Sequence, residues 1–297
     1  MLVLARAKKE RVLSDTLEIT SPERLDRLPS VKAGLFYLTP MADKPYTVAY
    51  RTDDTGDLPT NAVYEEHELA IHDARSAAPG LDLDREGVAF VASASRVKDF
   101  YDEAELDGVA HREAANLVAR VTGASRVEVF DHTLRRRDSD IPDRSAGAPR
   151  QPVMRVHNDY TEGSGPQRVR DLMGDEAEAL LKKRYAFINV WRPLKGPVVD
   201  TPLAVCDARS VEPSDWVACD MVYRDRRGEI YVATWSPDHR WLYFPRMTPD
   251  ETILIKCYDT RTDVARFAPH SAFTDPTTPD GAAPRESIEI RTVAFFE

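Results

Sequence analysis

His157-Asn158-Asp159 sets an imidazole and a carboxylate two residues apart. On an extended strand, residues i and i+2 point the same way, so both side chains would reach one cavity. A second histidine, His270, lies far along the chain beside Pro269. Two imidazoles and one carboxylate make the facial ligand set of a non-heme iron(II) site, which keeps coordination positions open for small ligands. With 7 histidines and 50 acidic residues, a His-x-acid pair also arises by chance, and the chain holds another, His111-Arg112-Glu113. That pair falls in a helical stretch, where i and i+2 diverge by about 200°. It reads as a solvated helix face.

Downstream of His270 comes Pro284-Arg285-Glu286-Ser287. Arg285 and Ser287 share one strand face. A guanidinium fork captures a carboxylate through two hydrogen bonds, and a neighbouring hydroxyl adds a third. The far carboxylate of 2-oxoglutarate asks for this. Arg291 lies on the same face and either shares that role or pairs with Glu289. Asn189 and Trp191 share a face with Tyr185 and Phe187 and are candidates for the cosubstrate pocket. The alternative is a core strand with one satisfied amide. Tyr160, Arg192 and His132 are candidate substrate contacts. Against that, Tyr160 suits packing, Arg192 suits an ion pair, and His132 suits a structural bond to a carboxylate. His67, His72 and His239 are not assigned to the metal.

The elements that must position these groups are mostly strands. Short apolar, β-prone runs recur at 34–39, 46–51, 125–130, 154–159, 185–191, 204–207, 231–235, 241–244, 252–259 and 287–296, broken by Pro, Gly and Asp. Residues 67–75 read as a strand or a short helix. Many short strands of this kind point to a sandwich or barrel. Apolar residues at helical spacing predict a helix over 99–123, stopped by Gly123. A second helix is predicted over 171–183, with Leu172, Ala179 and Leu180 inward. Asp53 to Asp57 is turn chemistry. The polar, proline-rich stretch 138–152 reads as an exposed loop and a soft boundary. The expected organisation is a single catalytic domain, 1–297. Within it, 1–138 packs on and roofs the barrel, and 150–297 forms the core with the metal site.

Hydrophobic residues make up 42% and charged residues 30%, enough apolar mass for a sizeable core. A net charge of −10 repels phosphate backbones and anionic lipid, so nucleic acid and membrane surfaces are poor partners. The run Arg135 to Arg137 is too short to reverse that. No apolar run approaches the roughly 20 residues that span a bilayer. Residues 1–11 read as no signal peptide. Three scattered cysteines, Cys206, Cys219 and Cys257, form no metal pattern and suggest reduced, buried thiols in a cytoplasmic protein.

Several segments together resemble a known family. They are Val127-Glu-Val-Phe-Asp-His-Thr-Leu-Arg-Arg136, His157-Asn-Asp-Tyr160, Asn189-Val-Trp-Arg-Pro-Leu194, Pro202-Leu-Ala-Val-Cys-Asp-Ala-Arg-Ser210 and Pro284-Arg-Glu-Ser-Ile-Glu-Ile-Arg291. Asp99-Phe-Tyr-Asp-Glu103 and Thr122-Gly-Ala124 extend the match into the N-terminal half. The family contains the cephalosporin 7-alpha-hydroxylase of cephamycin methoxylation, gibberellin GA4 desaturase-like proteins and fungal meroterpenoid oxygenases. The resemblance implies a double-stranded β-helix, a jelly-roll or cupin-like core with flanking helices. It implies Fe(II), 2-oxoglutarate as cosubstrate and O2, with His157, Asp159 and His270 as metal ligands and Arg285 and Ser287 at the cosubstrate. The implied reaction is oxidation of a small secondary metabolite by hydroxylation, desaturation or related C–H abstraction, releasing succinate and CO2. A homo-oligomer or a biosynthetic partner enzyme is compatible with it. Two other readings share the ligands: a metal-dependent hydrolase or isomerase on a cupin-like barrel, and a non-catalytic accessory subunit. The hydrolase or isomerase would not need Arg285 and Ser287.

Overall fold

The computed structural model describes residues 18–50, 59–138, 140–145 and 147–297. The turn expected at Asp53 to Asp57 and the segment 1–11 lie outside them. Fourteen strands are present among the described residues: β1 (Ser30–Leu38), β2 (Tyr46–Val48), β3 (Tyr64–Asp73), β4 (Val88–Ala92), β5 (Arg126–Arg136), β6 (His157–Asn158), β7 (Tyr185–Pro193), β8 (Leu203–Cys206), β9 (Trp216–Val222), β10 (Arg227–Ala233), β11 (Trp241–Tyr243), β12 (Glu251–Asp259), β13 (His270–Ala272) and β14 (Glu286–Phe295). They form a nine-stranded sheet, β1-β3-β11-β8-β13-β6-β10-β9-β2, and a five-stranded sheet, β4-β12-β7-β14-β5. This is the double-stranded β-helix anticipated above.

Strand β7 explains the layering. All nine of its residues are buried, as a strand covered on both faces must be. Tyr185, Phe187 and Trp191 join an apolar cluster with Leu203, Val205 and Leu242 of the nine-stranded sheet. Ala186, Ile188 and Val190 point the other way, onto Leu117 and Val118. Those two residues belong to helix α1 (His111–Thr122), which buries Ala114, Leu117 and Val118. The helix starts as a short turn, Glu103–Glu105, capped by Asp102, and passes through a π-helical turn, Leu106–Ala110. It ends where Gly123 takes a left-handed φ of 73° and donates its N–H to the Ala119 carbonyl, a conformation that costs glycine little.

Sequence and structure differ in several places. The segment 67–75 is strand, inside β3. The second helix, α2, spans Ser164–Met173 rather than 171–183. Thr161 and Ser164 cap it reciprocally, each hydroxyl accepting the other's N–H at 3.0 and 2.8 Å, and Gly174 ends it before it reaches Lys183. Gly165 and Val169 are buried in it; past the break a further helical turn, Ala177–Leu180, lies within the expected span and buries Ala177, while Leu172 and Leu180 are half-buried against the apolar cluster and Ala179 is exposed. The strand expected over 154–159 narrows to the two residues of β6, and β4 and β9 had no clear alternating signal. Residues 1–138 and 150–297 share both sheets. β1 pairs with β3, which runs parallel to β11, and β5 pairs with β14.

Candidate metal centre

Two residues of β6 suffice because its neighbours hold it. His157 sits opposite Val232 of β10 on one side and opposite His270 of β13 on the other. That register brings the two imidazole rings to 4.4 Å between centroids. Asp159, just past the strand, closes the group. One ligand atom from each of His157, Asp159 and His270 lies within 4.8 Å of the others.

The hydrogen bonds say which atoms face the centre. His157 Nδ1 donates to the Arg155 carbonyl at 2.9 Å, and His270 Nδ1 donates to the Ala268 carbonyl at 3.1 Å. A carbonyl only accepts, so both Nδ1 atoms carry the proton and both Nε2 atoms keep a lone pair. His157 Nε2 lies 3.8 Å from Asp159 Oδ1. His270 Nε2 is buried with no hydrogen-bond partner. Asp159 Oδ2 is occupied: Asn189 Nδ2 donates to it at 2.8 Å and Arg291 Nε at 2.9 Å. Oδ1 is left for another partner. Burial pushes the His157 imidazole well below its usual pKa, and His270 adds to this. Burial opposes ionisation of Asp159, but the Arg291 guanidinium and the two imidazoles override it and hold the carboxyl well below the ordinary range. Two imidazole lone pairs and one carboxylate oxygen, converging and otherwise unpaired, fit a divalent transition metal. The main-chain bonds behind them are the usual outer support of such ligands.

Arg285 and Ser287 are buried, and both Arg285 Nε and Ser287 Oγ lack partners. Arg285 Nη1 donates to the Thr201 carbonyl at 2.8 Å, and its guanidinium lies 5.5 Å from the Trp191 ring centre. Burial, followed by the nearby Arg135 charge, lowers its pKa to about 9. Such a cation wants an anionic guest. Asn189 and Trp191 share the inward face of β7, and Asn189 Oδ1 is also unpaired. Arg291 differs from Arg285: all three of its nitrogens are taken by Asp159, Asp131, Thr133 and Glu289. It braces the centre and has no fork to offer a cosubstrate.

The remaining candidates separate. Tyr160 stacks on Phe187 at 4.1 Å between centroids and also lines the cavity beside the centre. Arg192 points to the helix side of β7. There it donates to the Ser93 carbonyl and to Thr252 Oγ1, with no carboxylate in hydrogen-bonding reach. Its expected ion pair is replaced by these bonds. His132 lines the same cavity and meets α1, where its Nδ1 lies 3.0 Å from His111 Nε2; its Nε2 lies 3.8 Å from a Glu103 carboxylate oxygen. His67 stacks on Trp235, His72 meets the Leu28 carbonyl, and His239 sits between Tyr37 and Asp215. All three cysteines are buried and free.

In front of His157 and Asp159 lies a cavity of about 920 Å³. Arg135, Arg144, Arg150 and Arg155 line it, and sequence reasoning missed them as a group. Only Arg155 had a local signal, two residues before His157 on the same alternation. Among the described residues, no helix is long and apolar enough to cross a membrane.

Comparison with known proteins agrees with this geometry. Residues 35–295 match the family described as oxidoreductase/YMDC permease-like domain. The hydroxylase/desaturase efuI of Hormonema carpetanum is 35% identical over 91% of this chain and 96% of its own length. The Fe(II)/2-oxoglutarate-dependent dioxygenase nvfI of Aspergillus novofumigatus is 32% identical over 89% of this chain and 96% of its own. The solved structure of the iron and alpha-ketoglutarate-dependent endoperoxidase NvfI superposes with a TM-score of 0.81 at 30% identity, covering 90% of this chain and 98% of that one. Fold, centre and relatives agree on the class, an oxidoreductase of the iron(II)/2-oxoglutarate-dependent oxygenases. More narrowly, the chain belongs to the family of the hydroxylase/desaturases and endoperoxidases that includes efuI and NvfI. The hydrolase and accessory-subunit readings are set aside.

Proposed function

We propose that this enzyme oxidises a C–H bond of a small secondary metabolite, by hydroxylation or desaturation. His157, Asp159 and His270 hold the iron, and Arg285 with Ser287 anchors 2-oxoglutarate. One observation carries the reading. Both imidazoles are locked by main-chain carbonyls into the tautomer that turns a lone pair to the same point as Asp159 Oδ1. Loaded with iron(II) and 2-oxoglutarate, the site would activate O2 as the oxidant, with release of succinate and CO2.

The residues of this chain do the rest. Asn189 and Arg291 fix one oxygen of Asp159 and so aim the other. Arg285 Nε and Ser287 Oγ stand free for a distant carboxylate, with the Trp191 ring against the guanidinium. Charge favours the same assignment. Arg285 is buried, with Arg135 nearby and no ion pair among the described residues, so an anionic cosubstrate would answer its charge. Tyr160, backed by Phe187, and Phe130 present an apolar wall, which keeps water from the target bond. Within the family, the likeness to cephalosporin 7-alpha-hydroxylase and gibberellin GA4 desaturase rests on the quoted motifs. The efuI and NvfI matches run nearly full length, so fungal-type metabolites come first as trial substrates. We assign the chain to the cytoplasm as one catalytic domain, a reading supported by its three unpaired thiols.

The test is an anaerobic titration with iron(II) and 2-oxoglutarate, watched for the visible charge-transfer band. The wild type shows the band, His270→Ala abolishes it, and Arg285→Ala shifts it to about tenfold or more higher 2-oxoglutarate. Bound iron without a band would overturn the assignment.

A further inference from the structure

The cavity in front of the centre has an uneven charge balance. Its carboxylates are answered within the protein. Asp159 and Asp131 bind Arg291, Asp220 and Glu229 bind Lys44, and Asp171 accepts from the Gln167 amide. Three of its guanidiniums are answered less completely. The Arg155 side chain makes no hydrogen bond or ion pair among the described residues, and its Nε is buried and unpartnered. The Arg150 side chain likewise has no partner there, and it lies close enough to Arg144 for the two charges to repel. Arg144 donates through Nη1 to the Ala49 carbonyl, while its buried Nε makes no hydrogen bond and lies 3.8 Å from Asp143 Oδ2. Burial lowers the Arg144 pKa to about 10, with Arg150 as the next cause. Burying guanidinium donors without hydrogen bonds beside like charges is costly unless an anion completes them.

We propose that the substrate carries a carboxylate and that Arg155, with Arg144 and Arg150, forms the subsite that receives it. This rests on reading the cavity as the substrate site. Three features favour it. The guanidinium is planar and forked, matched to a carboxylate. Arg155 lines the same cavity as His157 and precedes it by one strand repeat, so a substrate held there is held against the metal centre. The subsite is also separate from the cosubstrate anchor, since Arg285 and Ser287 do not line this cavity. A volume of about 920 Å³ accommodates a drug-sized molecule.

The experiment compares benzoate with benzamide, nearly equal in shape and different in charge. Each is titrated calorimetrically into anaerobic protein loaded with iron(II) and saturating 2-oxoglutarate. Benzoate is expected to bind about tenfold tighter than benzamide. That preference falls below about threefold in Arg155→Ala, is largely kept in Arg155→Lys, and is reduced in Arg150→Ala. Equal affinities in the wild type, or an undiminished preference in Arg155→Ala, overturn the proposal. So does a large loss of 2-oxoglutarate affinity in Arg155→Ala, which would make that residue the cosubstrate anchor. If Arg155→Ala does not fold, the lysine variant and Arg150→Ala decide alone. The charge-transfer band in the same solutions reports separately. A band without benzoate preference sinks only the substrate inference, whereas no band sinks the functional reading beneath it.

Discussion

The two faces of the five-stranded sheet are built from alternate residues of the same strands and do opposite things. On β14, Ser287, Glu289 and Arg291 turn inward to the metal centre, while Ile288, Ile290 and Ala294 turn outward to α1. On β7, Asn189 and Trp191 alternate with Ile188 and Val190 in the same way. The inward face carries buried charges whose hydrogen bonds fix direction. The outward face is a close-packed apolar layer that fixes where the strands lie. Stability and chemistry are therefore separable by substitution, one residue apart on one strand.

Four substitutions break or sharpen that contrast. On the inward face, Asp159→Ala should abolish iron binding, measured by equilibrium dialysis, while the melting temperature of the metal-free protein falls little or rises. It removes one acceptor of Arg291, which keeps Asp131, Thr133 and Glu289, and it also removes a buried charge. On the outward face, Leu117→Ala should cost about 2–5 kcal/mol in denaturant unfolding, with kcat/KM per folded molecule unchanged. A proportional loss of kcat/KM would show the faces are coupled. Asn189→Ala should weaken iron binding by about 10–100-fold, because Asp159 loses one of the two bonds that aim it. Unchanged affinity would leave Arg291 as the sole brace.

The smallest effect is a pH dependence on the helix side. Burial lowers the His111 pKa from its ordinary value, and His132 adds to this. The unfolded chain therefore takes up this proton first as pH falls. The stability contribution is complete above about pH 6.5 and declines as pH drops through that value toward the lower folded pKa. His111→Asn should flatten the slope of unfolding free energy against pH between about 5 and 7. An unaltered slope would place the titration elsewhere.

The ligand set was legible because its chemistry needs particular residue types at particular strand spacing. β7 was legible because a doubly covered strand is a nearly continuous apolar run, broken here only by Asn189 and Arg192. The brace around Asp159 was not. Arg291 and Asn189 face each other only through the register of β14 with β7, and register between distant strands leaves no local mark. Arg291 therefore read as either a second cosubstrate anchor or a partner of Glu289, and the pairing with Glu289 is present while the bond to Asp159 had no signal. The misplaced second helix has a local cause, since Gly174 breaks a pattern that otherwise runs on to Lys183. The arginine wall was hidden because 144 and 150 lie in a loop with no periodicity to read.

The carbonyls behind His157 and His270 carry one more consequence. Both belong to the main chain, two residues before each histidine. No codon change can delete them. The cavity wall, made of side chains, can be rewritten position by position while the metal grip stays as it is. A chain built this way can exchange one substrate for another without re-learning how to hold its metal.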